Sequence, residues 1–118
     1  MYNYATATIE GFATQDPILK TTASGKLVCN FSLAVNHYSK ENTDQNVSFL
    51  EIETWEKIAE ICSGNISKGK RMMVIGDLKQ DRWEDKEGKK QSKIKIVGHE
   101  IRFLESLKKD SKPAENSN

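Results

Sequence analysis

The chain has 118 residues, room for one domain with a real core, and 30% of them are charged. No apolar run approaches the ~20 residues that span a bilayer, and the opening MYNYATATIEG has neither the basic nor the apolar region of a secretory signal. An intracellular, cytoplasmic protein is therefore expected, and its net charge of +1 is unevenly spread: residues 68–95 carry 10 Lys+Arg against 5 Asp+Glu, whereas residues 1–67 carry 4 against 8.

ATATIEGF (5–12) alternates like a strand, and Gly11 near its end implies a bulge or a close backbone approach. TQDP (14–17) is a turn, since Pro17 pushes Asp16 out of helical geometry. LKTT and ASGK (19–26) give a short strand and a hairpin turn at Ser24-Gly25. LVCNFSLAV (27–35) is the clearest strand, with Leu27, Cys29, Phe31, Leu33 and Val35 on one face. A polar loop, NHYSKENTDQN (36–46), follows.

VSFLEIETW (47–55) sends Leu50 and Ile52 one way and Phe49, Glu51, Glu53 and Trp55 the other. EKIAEICSGNI (56–66) spaces Ile58, Ala59, Ile61 and Cys62 as a helix, with Gly64 as its expected stop. KGKRMMVIGDLK (68–79) turns into a strand with Met72, Val74, Gly76 and Leu78 on one face. Trp83 then sits in a charged run, before a turn at 86–90. QSKIKIVGHEIRFL (91–104) is the last strand, with Gly98 as a kink, and residues 105–118 have lost the apolar period and are expected to form a short disordered tail.

The expected fold class is all-β: a five-stranded Greek-key OB-fold barrel over residues 1–104, with one short helix between the third and fourth principal strands. A small sandwich or an SH3-like barrel shares the strand pattern, though neither requires that helix.

The chemistry on offer is binding rather than catalysis. His37 and His99 belong to no acid–base constellation, and Gly76 and Gly88 to no phosphate-cradling loop. Cys29 and Cys62 form neither a disulfide framework nor a CxxC metal motif and read as small core side chains. Glu51 and Glu53 lack a third carboxylate nearby in sequence for Mg²⁺, so no metal or cofactor is expected. Single-stranded nucleic acid fits better, because it needs flat rings for bases and a basic track for phosphates. Phe49 and Trp55 share the non-core face of their strand, although a barrel core or an oligomer interface would also use such rings. Trp83 lies among Lys79, Arg82, Lys86, Lys89 and Lys90, a setting that burial explains poorly. Lys93 and Lys95 alternate with Ile94 and Ile96 in the manner of solvated edge lysines.

Over roughly residues 3–104 the sequence resembles bacterial-type single-stranded DNA-binding proteins. GFATQDP (11–17) is similar to the family's glycine-then-Asp-Pro turn, SGKLVCNFSLAV (24–35) to its hairpin and Asn-Phe-Ser-Leu-Ala strand, and WEKIAE (55–60) to the opening of its helix. SKGKRMMVIGDL (67–78) fits its Lys-Gly turn and Gly-ended strand, and Trp83 falls on its hairpin tryptophan. The resemblance implies that Phe49, Trp55 and Trp83 stack bases, with Tyr38 the nearest match to a further family aromatic. It also implies phosphate contacts at Lys57, Lys68, Lys79 and Arg82, to which the basic turn adds Lys70, Lys89 and Lys90. Its partners would be single-stranded DNA and further copies of itself, as a homotetramer or a dimer joined through the first strands, in a nucleoid-associated protein of replication, recombination and repair.

Two departures accompany it. Glu51 and Asp81 are acids where well-known members carry basic residues. The chain finishes KPAENSN, without the acidic-aromatic tip through which many members recruit replication enzymes, so such recruitment is doubtful. The competing reading is a tail-less OB-fold accessory protein of the primosomal type, acting mainly through protein contacts. A structural RNA-associated OB domain or an enzyme is a third.

Overall fold

A computed structural model describes residues 1–38 and 46–104. The tail expected to be disordered, residues 105–118, lies outside them. In chain order the elements are β1 (Thr6–Ala13), β2 (Ile18–Thr21), β3 (Leu27–Asn36), β4 (Val47–Trp55), α1 (Glu56–Asn65), β5 (Arg71–Glu84) and β6 (Lys90–Phe103).

The strands run β1-β5-β6-β4-β3, and β1 also pairs with β3 at Phe12↔Ala34 and Ala13↔Leu33. That second pairing closes a five-stranded ring, the OB-fold barrel, with the short β2 attached outside on β3. All pairings are antiparallel except β4–β6, a parallel contact at Ile52↔Ile96 and Glu53↔Val97. Gly11 is what lets β1 cross towards β3. A Cβ there would lie 2.6 Å from the Ala34 carbonyl oxygen, so a side chain would push the closing strands apart.

The alternating apolar positions converge inside the ring. Leu33, Ile52, Met72, Val74 and Ile96 are buried, and α1 adds Ala59 and Cys62. Both cysteines are thus core side chains, and burial pushes the Cys62 thiol up to about 11. The one buried polar side chain among the described residues, Thr54, donates from Oγ1 to the Cys29 carbonyl at 3.0 Å, which removes its desolvation cost.

Two local expectations change. The helix does not stop at Gly64 but runs to Asn65, whose Nδ2 donates to the Ile61 carbonyl at 2.7 Å and caps the last turn. The fourth principal strand, expected within residues 68–79 with Trp83 on a hairpin beyond it, is longer. β5 continues to Glu84, paired residue by residue with β6 down to Glu84↔Lys90, so Trp83 is a strand residue on a ribbon that leaves the barrel.

Candidate nucleic-acid interface

Period two places the outward residues of β4 on a surface shared with the ribbon. Phe49 is 68% exposed, Trp55 36% and Trp83 47%. Phe49 and Trp55 are six residues apart on one strand, about 20 Å. Trp83 stands on the ribbon face that also carries Lys79 and Asp81, and the cross-strand pairs Lys79↔Lys95, Asp81↔Lys93 and Trp83↔Gln91 extend that face onto β6.

Ion pairs stitch β4 to this face. Lys95 Nζ lies 2.9 Å from Glu53 Oε2 and 3.0 Å from Asp81 Oδ2, and its side chain is only 16% exposed. Burial works against the Lys95 ammonium, but the hydrogen bonds and charges of Glu53 and Asp81 outweigh it and hold its pKa above the usual lysine value. Lys93 Nζ meets Glu51 Oε1 at 2.6 Å. The other oxygen of Glu53 accepts the Trp55 indole N–H at 2.9 Å. A continuous chain therefore runs Trp55–Glu53–Lys95–Asp81, two residues short of Trp83. Glu51 and Asp81, the unexpected acids, are each the partner of a lysine on β6. They also bring a third carboxylate near Glu51 and Glu53, but lysines stand among them. Among the described residues no group of three His, Cys, Asp or Glu could hold a metal ion.

Trp55 sits where the chain turns from β4 into α1. The next residue, Glu56, has φ 55, a left-handed conformation that costs a side-chain-bearing residue ~1–2 kcal/mol. Its Oε1 accepts the Leu27 backbone N–H at 3.3 Å, which helps hold this sharp corner.

The hairpin tip is ordered by Asp85, a residue the sequence reading passed over. Its Oδ1 accepts the backbone N–H of Glu87 and of Lys89, each at 2.9 Å, and Oδ2 accepts Gln91 Nε2 at 3.1 Å. Those bonds, the one from Lys89 foremost, hold the carboxyl below the usual aspartate range. Gly88, at φ 82, completes the turn. An aspartate three residues before a glycine, between two alternating segments, was the available signal.

The basic candidates fall into two groups. Lys57 and Lys68 are exposed around α1, and Lys70 lies half-buried with its ammonium 5.6 Å from the Phe103 ring centre. Lys79, Arg82, Lys89 and Lys90 are exposed on the ribbon. From Lys70 to Arg82 the strand covers as much as about 40 Å. Arg82 is on the opposite ribbon face from Trp83, paired with Ser92, and its guanidinium donates to Gln80 Oε1 at 3.2 Å. Both nevertheless border one open depression, of about 560 Å³, with Lys90 and Gln91. Tyr38 is 86% exposed beside residues 39–45, which are outside the described set, and its carbonyl accepts Asn46 Nδ2 at 2.9 Å. His99 and Asp77 pair at 2.8 Å, and His37 meets Ser48 Oγ at 2.7 Å.

A closed OB-fold barrel with exposed aromatic rings on one outward surface and exposed cations around α1 and on the ribbon defines a class of small binding domains. Residues 4–104 match the single-strand binding protein family, and the chain belongs to that family. It is 35% identical over 96 residues to the single-stranded DNA-binding protein of Caldanaerobacter subterraneus subsp. tengcongensis, covering 80% of this chain and 64% of that protein. It is 37% identical over 99 residues to the single-stranded DNA-binding protein of Treponema pallidum (82% of this chain, 56% of that protein). To single-stranded DNA-binding protein 1 of Synechocystis sp. it is 38% identical over 109 residues, 92% of this chain and 88% of that protein. The chain thus spans less than two thirds of the first two relatives. No helix among the described residues is long and apolar enough to cross a membrane.

Proposed function

We propose that this protein binds single-stranded DNA without sequence specificity, as a binding protein with no catalytic residue, and so protects exposed strands during replication, recombination and repair. The observation that carries the reading is the outward surface shared by Phe49, Trp55 and Trp83, three exposed rings on β4 and on the ribbon that β4 is bonded to through Lys93 and Lys95. Membership of the single-strand binding protein family supports it. Bases stack on the rings, and phosphates follow Lys57, Lys68, Lys79, Arg82, Lys89 and Lys90 around α1 and on the ribbon, with Lys70 and Tyr38 as peripheral members. A cytoplasmic, nucleoid-associated location follows from that activity.

A homo-oligomer, a tetramer or a dimer, belongs to the same reading. Residues 6–12 of β1 pair with β5 along one edge, and β3 covers the other edge only at Phe12 and Ala13, which leaves strand edge for a second copy.

Titration of tryptophan fluorescence with oligo(dT) over a range of salt tests the proposal. Strong quenching is expected, with affinity falling as salt rises by a slope of about −0.7 per phosphate contact. Absence of quenching at low salt would sink it. Sedimentation of the free protein reads the oligomer, and a monomer at micromolar concentration would remove that part.

A further inference from the structure

The centre of the aromatic face is not basic. Between Trp55 and Trp83 the three carboxylates of Glu51, Glu53 and Asp81 balance the three ammonium groups of Lys79, Lys93 and Lys95, and Lys93 and Lys95 are already bonded to them. Lys95 is the extreme case, mostly buried and gripped from β4 and from β5 at once. A phosphate that reached it would have to displace two carboxylates and then sit beside both. Glu53 has a second task. With Oε2 on Lys95 and Oε1 on the indole N–H, it links the Trp55 ring to the same lysine.

We propose that Glu53 is a positioning residue: it orients the Trp55 ring and, together with Asp81, withholds Lys95 from phosphate, so that the middle of the face admits bases and excludes the backbone. The inference rests on the single-stranded DNA reading and adds a path to it. Bases lie over Trp55 and Trp83, and phosphates keep to the β5 side of the face, at Lys79 and the ribbon cations. It also gives the acids of this face a purpose. A carboxylate that neutralises an inner lysine removes a competing phosphate site and leaves neutral rings as the favoured contact.

The test uses the full chain, oligo(dT) and the salt dependence of binding. Lys95→Gln keeps hydrogen bonding to both carboxylates, and the slope is expected to stay at the wild-type value. Lys79→Gln should make it shallower by about 0.7, the loss of one contact. The double variant Glu53→Gln/Asp81→Asn releases Lys95, and its slope should steepen by about 0.7, with tighter binding at low salt. For the ring, Glu53→Gln retains an acceptor for the indole and should keep the Trp55 quenching, read in a Trp83→Phe background, whereas Glu53→Leu should lose much of it. A shallower slope in Lys95→Gln would show that Lys95 already contacts phosphate and would overturn the inference, whether or not the double variant folds. Equal quenching in Glu53→Gln and Glu53→Leu would overturn the positioning of Trp55. Wild-type protein that shows no quenching at all would overturn the DNA reading itself, a separate result.

Discussion

The two halves of the β5–β6 ribbon share one alternation and one hydrogen-bond ladder, yet they live in different surroundings. In the barrel half, Met72, Val74 and Ile96 fill the core. Leu78 and Ile94 continue the same face along the ribbon and are 41% and 62% exposed, because none of the described elements buries them. Past the barrel, the ribbon is maintained by its cross-strand pairing and by the bonds that Asp85 gathers at the tip. Apolar alternation therefore marks which way a side chain points, while burial depends on what lies opposite. The two tryptophans repeat the contrast. Trp55 is anchored at the barrel corner through Glu53, and Trp83 stands on the projecting half.

The sharpest way to break this comparison is to truncate the same residue type on either side of it. Ile96→Ala should destabilise the protein by about 2–5 kcal/mol in urea unfolding, as expected for a large core side chain. Ile94→Ala, two positions away on the same face, should change stability by less than about 0.5 kcal/mol. Equal losses would mean that the ribbon packs against something in solution, a second copy being the first suspect.

The tryptophans come next. Trp83→Ala should weaken oligo(dT) binding by about ten-fold, within the roughly 1–3 kcal/mol of a lost stacking platform, and leave the melting temperature nearly unchanged. Trp55→Ala should lose affinity and stability together, since its ring is bonded to the Glu53–Lys95–Asp81 chain. Trp83→Phe should keep most of the binding because a π-face remains. A Trp83→Ala protein that melts several degrees early with its affinity intact would make the ring a packing residue.

Titration distinguishes the two regions by opposite signs. Burial raises the Cys62 thiol to about 11 in the folded state, from 9.0 for a free thiol. The folded protein then holds this proton more tightly than the unfolded chain, so its contribution to stability is complete below about pH 9 and is lost as pH rises towards about 11. Cys62→Ala should remove that alkaline component from a plot of melting temperature against pH. Asp85 on the ribbon is lowered instead, so its contribution is present above the unfolded aspartate value, about pH 3.9, and is lost as pH falls through the lower folded value. Amide exchange at Glu87 and Lys89 should quicken in that acid range, and Asp85→Ala should quicken it several-fold at neutral pH. An unchanged exchange rate in Asp85→Ala would show that Gly88 and the ladder order the tip without it.

Much of this was written in the sequence. Period two in residues 27–35 and 47–55 places Cys29, Leu33 and Ile52 inside and Phe49 and Trp55 outside, because successive side chains of a strand must leave on opposite faces. The turn at Ser24-Gly25, the close approach at Gly11 and the helix between β4 and β5 follow from equally local chemistry. Local rules could not supply the surroundings of a charge. Lys95 looked like a solvated edge lysine, and it is bound to Glu53, 42 residues earlier in the chain. Glu51 and Asp81 stood only as departures from the family's basic residues, and Arg82 looked like a neighbour of Trp83, although the ladder puts Arg82 and Trp83 on opposite ribbon faces. Alternation assigns a face within a strand. Only closure of the barrel decides which strand lies alongside it, and electrostatic partners are chosen across strands, at distances of a few ångströms that sequence separation does not encode.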